Sequence, residues 1–244
     1  MACRVLVTRP EPGATATGRR LRQLGFEPVV LPLSEIRPIG ATHSVAARDF
    51  AAVVATSANA VRHASAPLLA ALSELPAFAV GDETGRAMRV AGLTAPSAAD
   101  GDAVSLAALI AARVPAGAAI AYLAGRVRRD TFEPALHAAG IAVTIFETYD
   151  TTRIVPDAER LARLSREGVA AVLVHSGKAA EAIAVLAGDN PAVARALERA
   201  LFVCISRRVA EMLPESLRPR ARAATQPTED ALMELLRKEC GTLP

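Results

Sequence analysis

Small, hydroxylated and cationic residues follow a series of short apolar runs in this sequence. The residues that share this position are Thr8, Arg9, Thr56, Ser57, Gly81, Gly125, Arg126, Ser176, Gly177, Ser206 and Arg207. In open parallel sheets, ligands bind beyond the carboxyl ends of the strands. Each loop also opens a predicted helix, whose free backbone N–H groups and dipole attract anions. The pattern therefore predicts a ligand with several negative groups, held by many weak contacts.

Four neighbouring residues extend this candidate binding set: Asn59, Thr84, Arg129 and Lys178. Each residue also has a purely structural interpretation, which the sequence leaves open. Serine and asparagine at these positions are good helix caps, and glycine can simply form a turn. Arg129 and Lys178 are typical of a solvated surface, and His175 is typical of a buried, hydrogen-bonded histidine. The functional interpretation depends on the recurrence of such loops at strand ends.

Strand patterns and helix patterns alternate along the whole chain. The first unit runs from a strand at residues 4–8, through a helix that Gly25 caps, to a second strand at residues 26–32. After a polar loop the pattern restarts, and Asn59 opens a predicted helix that continues through Leu72. Thr228 is the predicted N-cap of the closing helix. Alternating strands and helices predict an α/β fold with parallel sheets covered on both faces.

Two extended segments interrupt this alternation. Residues 29–38 and 140–154 are rich in β-branched residues or broken by proline, and we interpret them as outward and return crossings between two domains. Residues 51–57 and 170–176 resemble each other, as expected for two related halves. We predict one domain from residues 1–34 and 154–244, an inserted domain at 39–148, and linker strands at 35–38 and 149–153. Tyr149 then lies on the return crossing, where a cleft between the domains would have its floor.

The composition excludes several classes of function. The chain has no Trp, a net charge of only +3, and Tyr122 and Tyr149 as its two tyrosines, so nucleic-acid binding is not expected. Cys3, Cys204 and Cys240 are odd in number and lack metal-ligand spacing, which predicts reduced thiols. The start of the chain has no signal-peptide pattern, and no apolar run is long enough to span a bilayer. We expect a cytoplasmic protein that does not contact membranes.

The sequence also lacks the motifs of common coenzyme sites. It contains no glycine-rich dinucleotide fingerprint, no P-loop, no nucleophile elbow and no metal-spaced His/Cys cluster. We therefore predict an enzyme that works without a cofactor or a metal.

Short motifs follow one another in a fixed order over nearly the whole chain. They are Val5-Leu-Val-Thr-Arg-Pro10, residues 24–25, 31–32 and 36–38, Ala55-Thr-Ser-Ala-Asn-Ala-Val61, residues 79–81 with Thr84, Gly125 with Arg129 and Asp130, Glu147-Thr-Tyr149-Asp-Thr151, and residues 227–228 with 231–232. Each motif is loose, but the ordered set resembles the uroporphyrinogen-III synthase family.

The resemblance implies two Rossmann- or flavodoxin-like domains joined by a two-stranded β-ladder. It implies a cofactor-free lyase that dehydrates hydroxymethylbilane and closes it to uroporphyrinogen III with ring D inverted, by way of a spiro intermediate. This linear tetrapyrrole carries many carboxylates, which suit strand-end loops rich in N–H and hydroxyl donors. Tyr149 matches the tyrosine that the family places as proton donor for loss of the hydroxyl. We further expect a monomer, with possible hand-over of the substrate from hydroxymethylbilane synthase.

The sequence departs from the family pattern in the second half of the predicted site. Where the family usually has Gly-x-Thr-Ala, this chain has Ser206-Arg-Arg-Val-Ala210, and His175 and Lys178 are atypical of their loop. Ser206 or Arg207 would have to replace the missing hydroxyl. Two other functions stay open: a non-catalytic two-domain sensor of an anionic small molecule, and a different cofactor-independent α/β enzyme that acts on a phosphorylated ligand. The chain ends after its last helix, which disfavours a regulator carrying a DNA-binding domain.

Overall fold

The computed structural model describes residues 3–40, 45–99, 102–128 and 131–241. The chain divides into two compact units. Unit 1 comprises Met1–Glu35 and Thr152–Pro244, and unit 2 comprises Ile36–Thr151. The divisions fall inside or beside the segments that the sequence predicts as linkers, residues 35–38 and 149–153.

Strands and helices alternate along the described chain. The strands are β1 Arg4–Val7, β2 Glu27–Val30, β3 Ser34–Pro38, β4 Ala52–Ala55, β5 Ala77–Ala79, β6 Ser97–Ala98, β7 Ala119–Gly125, β8 Ala142–Arg153, β9 Ala171–Val174, β10 Leu201–Cys204 and β11 Ala221–Ala223. The α-helices are α1 Gly13–Gln23, α2 Ala58–Arg62, α3 Ala66–Leu72, α4 Asp82–Val90, α5 Ala103–Ala111, α6 Phe132–Ala138, α7 Ala158–Glu167, α8 Gly177–Asp189, α9 Pro191–Leu197, α10 Arg207–Glu211 and α11 Glu229–Cys240. Short 3-10 turns lie at Ala47–Asp49 and Arg218–Arg220.

Unit 1 contains a five-stranded sheet in the order β11-β10-β9-β1-β2. All of its strand pairs are parallel. The central strands β1 and β9 are apolar and buried, because helices cover both faces of the sheet. Leu6 packs into the cluster on one face, while Val5 and Val7 pack into the cluster on the other. Full burial of each such side chain contributes roughly 2 kcal/mol.

Unit 2 contains a six-stranded sheet in the order β3-β8-β7-β4-β5-β6. The pairs from β8 through β6 are parallel. Two apolar clusters again cover opposite faces, and alternate residues of β7 divide between them: Ile120 and Tyr122 on one face, Ala121 and Leu123 on the other. The predicted α/β fold with parallel sheets is confirmed.

The helix predicted from Asn59 through Leu72 is wrong, because the structure has two helices there. α2 ends at Arg62 with His63 as its C-cap, and Ser65 starts α3 by accepting a hydrogen bond from Leu68 N. Pro67 lies in the first turn of α3, where a missing backbone N–H is tolerated. In a continuous helix its missing N–H could not donate to the carbonyl oxygen of His63. The break leaves His63 at a helix end.

A β-bulge interrupts the pairing of β7 with β8. Ala124 lies opposite Glu147, but Gly125 lies opposite Tyr149, so Thr148 is an extra residue. Before the bulge, Ile145 packs on one face of the sheet and Phe146 on the other. Simple alternation would place Tyr149 on the face of Ile145. Because of the bulge, Tyr149 packs instead against the cluster that contains Phe146.

Three observations concern membranes, metals and thiols. No helix in the described part of the chain is long and apolar enough to cross a membrane. Those same residues contain no group of three or more His, Cys, Asp or Glu side chains placed to hold a metal ion. Cys3, Cys204 and Cys240 are free thiols, and the sulfur atoms of Cys3 and Cys240 lie 3.2 Å apart.

Candidate active site

The strand ends of unit 2 bring most of its predicted site residues to one edge of the sheet. β7, β4 and β5 are parallel neighbours, so their carboxyl ends lie side by side. Thr56 and Ser57 follow β4, Gly81 follows β5, Gly125 ends β7, and Tyr149 lies opposite Gly125 on β8.

The phenol ring of Tyr149 rests directly on Gly125. A Cβ atom on Gly125 would lie 2.6 Å from Cζ of Tyr149 and 2.9 Å from its hydroxyl oxygen. Real Cβ atoms do not approach other atoms so closely, so the ring can keep this position only over a glycine. Arg126 N also donates to the carbonyl oxygen of Tyr149 at 2.9 Å. The tip of β7 thus holds the backbone of Tyr149 and leaves room for its ring.

The bulge residue Thr148 anchors this part of β8 to α2. Its side chain is 2% exposed, and its hydroxyl donates to the carbonyl oxygen of Ala60 at 2.7 Å. A longer approach, 3.4 Å, joins the same hydroxyl to the carbonyl oxygen of Ala124. Buried hydroxyl groups need such partners, since an unpaired one costs about 1–3 kcal/mol. The bond keeps α2 and its C-terminal end close to Tyr149.

His63, at that C-terminal end, is the aromatic neighbour of Tyr149. The two ring centroids are 6.2 Å apart, with planes inclined by 39°. Burial, helped by the positive charge of Arg62, lowers the pKa of His63 below its ordinary value. The imidazole is therefore mainly uncharged at neutral pH. Sequence patterns did not single out His63, because its position depends on the break between α2 and α3.

Arg126 belongs to a charged network at the tip of β7. Its guanidinium lies 3.3 Å from Glu147 and 3.3 Å from Asp150. Arg128 bridges Glu133 at 2.7 Å and Glu147 at 3.1 Å, and these carboxylates raise the pKa of the Arg128 guanidinium. Arg126 is 53% exposed, and exposed ion pairs contribute only about 0–1 kcal/mol. Exchange of its protein carboxylates for those of a ligand would therefore cost little.

The other predicted residues of unit 2 differ in their burial and in whether their polar side chains already have hydrogen-bond partners. The Thr56 hydroxyl is 2.7 Å from the hydroxyl of buried Tyr122. Ser57 caps α2 by accepting from Asn59 N, as its structural interpretation predicts. Asn59 itself lies inside α2 and accepts from Arg62. Gly81 precedes α4 in an extended conformation, and Thr84 is buried in the first turn of that helix. Arg129 lies outside the described residues.

Unit 1 places its candidate residues at the carboxyl ends of β10, β9 and β1, which are also parallel neighbours. Ser176 caps α8 by accepting from Ala179 N, and Ser206 caps α10 by accepting from Val209 N. Arg207 is 91% exposed and pairs with Glu211 at 3.2 Å.

Met212 covers the start of α8. A Cβ atom on Gly177 would lie 2.4 Å from its sulfur atom, so glycine here allows the thioether to pack over the first turn. Lys178 follows Gly177 and is partly exposed. A flexible thioether can move aside, so this end of α8 stays accessible to a ligand.

Arg9 is held by a cluster of polar side chains. Its guanidinium donates to Glu229 at 3.0 Å and to the Thr17 hydroxyl at 3.3 Å. The Thr17 hydroxyl and Nε2 of His175 also bind Glu229, at 2.8 Å and 3.1 Å. This Glu229 cluster, formed by Arg9, Thr17, His175 and Glu229, joins α1, α11 and the ends of β1 and β9. It confirms the structural interpretation of His175.

Comparison with known proteins decides the family. Residues 15–234 match the family described as uroporphyrinogen-III synthase HemD. The chain belongs to the uroporphyrinogen-III synthase family. Enzymes of this family are cyclizing lyases of tetrapyrrole biosynthesis, and the chain is such an enzyme. The alternative of a non-catalytic sensor finds no support in these comparisons.

Relatives of the uroporphyrinogen-III synthase family agree with this assignment. A curated uroporphyrinogen-III synthase from Chlorobaculum parvum is 29% identical over 175 residues, which cover 67% of this chain and 70% of the relative. The fold resembles a mutant uroporphyrinogen III synthase from Thermus thermophilus, with a TM-score of 0.62, 21% identity, and 99% and 100% of the two chains covered. It also resembles uroporphyrinogen-III synthetase from Helicobacter pylori, with a TM-score of 0.64, 16% identity, and 98% and 100% covered.

The Glu229 cluster makes the stability of this uroporphyrinogen-III synthase homologue depend on pH. Burial by itself raises the pKa of Glu229, but His175, Thr17 and Arg9 together lower it from 4.5 to about 2. Burial also lowers the pKa of His175 below 6.5, so its neutral form is favoured in the folded protein. Both groups bind fewer protons when folded than when unfolded, and acid therefore favours unfolding.

We expect the Glu229 contribution to be fully present above pH 4.5 and lost as the pH falls from 4.5 toward about 2. Replacing Glu229 with Gln should lower the free energy of unfolding at pH 7 by on the order of 2 kcal/mol, allowing for screening by solvent. It should also flatten the acid limb of a urea-denaturation series. Glu234→Gln, at an exposed position of α11, is the control. Equal acid sensitivity in both variants would contradict this role of the cluster.

Proposed function

We propose that this chain converts hydroxymethylbilane to uroporphyrinogen III, with loss of water and inversion of ring D, and that Tyr149 is its proton donor. The placement of the Tyr149 phenol over Gly125, at the edge where the strands of unit 2 end, is the observation that carries the proposal. A phenolic hydroxyl remains protonated at neutral pH and can donate to a leaving group.

The proposed step breaks the bond between carbon and oxygen at the hydroxymethyl end of the substrate. The Tyr149 proton moves to the departing oxygen, which keeps the bonding electron pair and leaves as water. The carbon left behind carries a positive charge, and closure of the macrocycle releases one proton, which balances the proton that Tyr149 gave up. The linear tetrapyrrole also closes unaided to the uninverted isomer. The main task of the protein is therefore to hold the folded conformer from which the inverting, spiro route proceeds.

Strand-end groups are proposed to hold the substrate carboxylates. In unit 2 these are Thr56, Ser57, Asn59, Gly81, Thr84, Gly125, Arg126 and Arg129, and in unit 1 they are Arg9, Ser176, Gly177, Lys178, Ser206 and Arg207. The exposed ion pairs of Arg126 and Arg207 support their role, because such weak pairs exchange readily for ligand carboxylates. Arg9 is paired with Glu229, which offsets its charge, so we propose that its contribution to substrate binding is smaller.

We also propose that residues 35–38 and 149–153 form a two-stranded linker between domains 1–34 plus 154–244 and 39–148. Two backbone hydrogen bonds support it: Ile39 N donates to Thr148 O, and Ile154 N donates to Leu33 O, each at 2.9 Å. Residue numbers rise along one segment as they fall along the other, as in an antiparallel ladder.

The reactivity of the substrate supports a proposed direct hand-over from hydroxymethylbilane synthase to a monomeric enzyme. The three free thiols support a cytoplasmic location.

A coupled assay tests the proposed reaction. Hydroxymethylbilane is generated in the presence of the purified chain, and the I and III isomers of the product are separated. We expect isomer III to dominate with the protein and isomer I without it. Formation of isomer I alone, at the uncatalysed rate, would exclude the proposed activity and would revive the possibility of an enzyme acting on a phosphorylated ligand.

A further inference from the structure

His63 and Tyr149 form an aromatic contact at the proposed catalytic group. Their ring centroids are 6.2 Å apart and their planes are inclined by 39°. Both side chains are partly buried. Aromatic rings tilted at this distance attract each other beyond the effect of their burial. The contact therefore favours one orientation of the phenol.

The backbone fixes His63 relative to the strand that carries Tyr149. His63 N donates to the carbonyl oxygen of Asn59 at 3.1 Å, which closes the last turn of α2. The preceding turn is held to β8 by the Thr148 hydroxyl, which donates to Ala60 O. Because Thr148 immediately precedes Tyr149, a short hydrogen-bonded path connects the two backbone segments that carry the rings.

Gly125 alone leaves the Tyr149 ring incompletely restrained. The ring lies over a residue without a side chain, so nothing on Gly125 prevents it from rotating away. A tyrosine side chain chooses among about three staggered χ1 positions unless its neighbours select one. The Tyr149 ring also packs against the apolar cluster that contains Phe146, and within the described part of unit 2 the imidazole of His63 makes an aromatic contact with it. Loss of the imidazole would therefore loosen the phenol.

We propose that His63 is a positioning residue, whose ring braces Tyr149 so that the phenol hydroxyl stays at the strand-end edge above Gly125. The proposal rests on the proposed role of Tyr149 as proton donor. The lowered pKa of His63 fits this role, because a neutral imidazole packs against a phenol without the desolvation of a charge. Arg62, whose charge faces His63, is itself paired with Glu83.

Two substitutions separate packing by the ring from chemistry by the imidazole. His63→Ala removes the ring, and His63→Phe keeps an aromatic ring without nitrogen atoms. We expect His63→Ala to lower kcat about tenfold with little change in KM, because a misplaced catalytic group affects the reaction more than binding. His63→Phe should stay close to the parent. His137→Ala, at an exposed position of α6 in the same unit, is the matched control.

Nuclear magnetic resonance provides a readout that does not depend on activity. The chain has two tyrosines and no Trp, and Tyr122 is buried, so the ring signals of Tyr149 are readily assigned with Tyr149→Phe. In the parent, nuclear Overhauser contacts should connect the rings of His63 and Tyr149. In His63→Ala the ring signals of Tyr149 should shift and become narrower. In His63→Phe these signals should keep line widths close to those of the parent.

A double-substitution cycle decides how His63 acts. If it acts through Tyr149, His63→Ala has little further effect on kcat in the Tyr149→Phe background. An unchanged kcat in His63→Ala, an equal loss in His63→Phe, or an undiminished loss in the double variant would each overturn the proposal. Full activity of Tyr149→Phe would instead refute Tyr149 as proton donor. The nuclear Overhauser contacts and the Tyr149 ring signals would then be the remaining test of whether His63 braces the ring. If His63→Ala does not fold, the parent spectrum and His63→Phe still decide between these results.

Discussion

Replacing Tyr149 with phenylalanine is expected to lower the rate of uroporphyrinogen III formation roughly 100-fold, since a positioned general acid contributes about 10²–10⁴-fold. The fold should survive, because the ring itself still packs on Gly125. Within residues 3–40, 45–99, 102–128 and 131–241, the Tyr149 hydroxyl has no hydrogen-bond partner. Removing this hydroxyl therefore leaves no partner group in that part of the chain unpaired. As the enzymatic route slows, spontaneous closure to isomer I should consume a growing fraction of the substrate.

The measurement is the initial rate together with the ratio of isomers III and I. Tyr122→Phe is the matched control, since it removes the other phenolic hydroxyl. Tyr122 is buried and its hydroxyl lies 2.7 Å from Thr56, so this variant should lose about 1 kcal/mol of stability with little loss of rate. Retention of the parental rate and isomer ratio by Tyr149→Phe would remove Tyr149 from the mechanism.

Gly125→Ala should abolish most of the activity without unfolding the protein. The new Cβ would lie 2.6 Å from Cζ of Tyr149, so the ring must move by about 1 Å or more to reach an ordinary contact, and such displacements cost on the order of 100-fold in rate. Gly125 has a negative φ, so alanine suits its backbone. The partly exposed ring can move toward solvent, and the loss of stability should therefore stay near 1 kcal/mol.

Gly40→Ala is the control for this substitution in the same unit, because a Cβ there would meet no atom within 4 Å. Kinetics and thermal unfolding of both variants, together with Gly125→Ala combined with Tyr149→Phe, test the explanation. If displacement of the phenol is the cause, the double variant is no slower than Tyr149→Phe alone. Additive losses would show that Gly125 acts on the substrate rather than through Tyr149.

Local patterns in the sequence were sufficient to predict the alternation of strands and helices and the residues at which several helices begin. Ser57, Ser176 and Thr228 cap their helices as predicted, because a cap bonds to a backbone N–H only two or three residues further on. Asn59 lies inside α2 and is not its cap. The apolar runs of β1 and β9 likewise predict strands buried on both faces. The failure between α2 and α3 is also local, since Ser65 and Pro67 outweighed the apolar spacing that suggested a continuous helix.

The contacts at the proposed site depend on distances that no local pattern encodes. Glu229 reaches Arg9 across 220 positions of sequence, and a single extra residue in β8 decides which face Tyr149 occupies. A bulge changes the register of two strands, and register depends on the hydrophobic patterns of both partners and on the turns between strands, rather than on one strand alone. The sequence by itself thus determined the α/β alternation, the helix caps and the family. Only the tertiary structure decided that Tyr149 lies on Gly125 beside His63 and that Arg9 is held by Glu229, because these contacts arise from long-range packing.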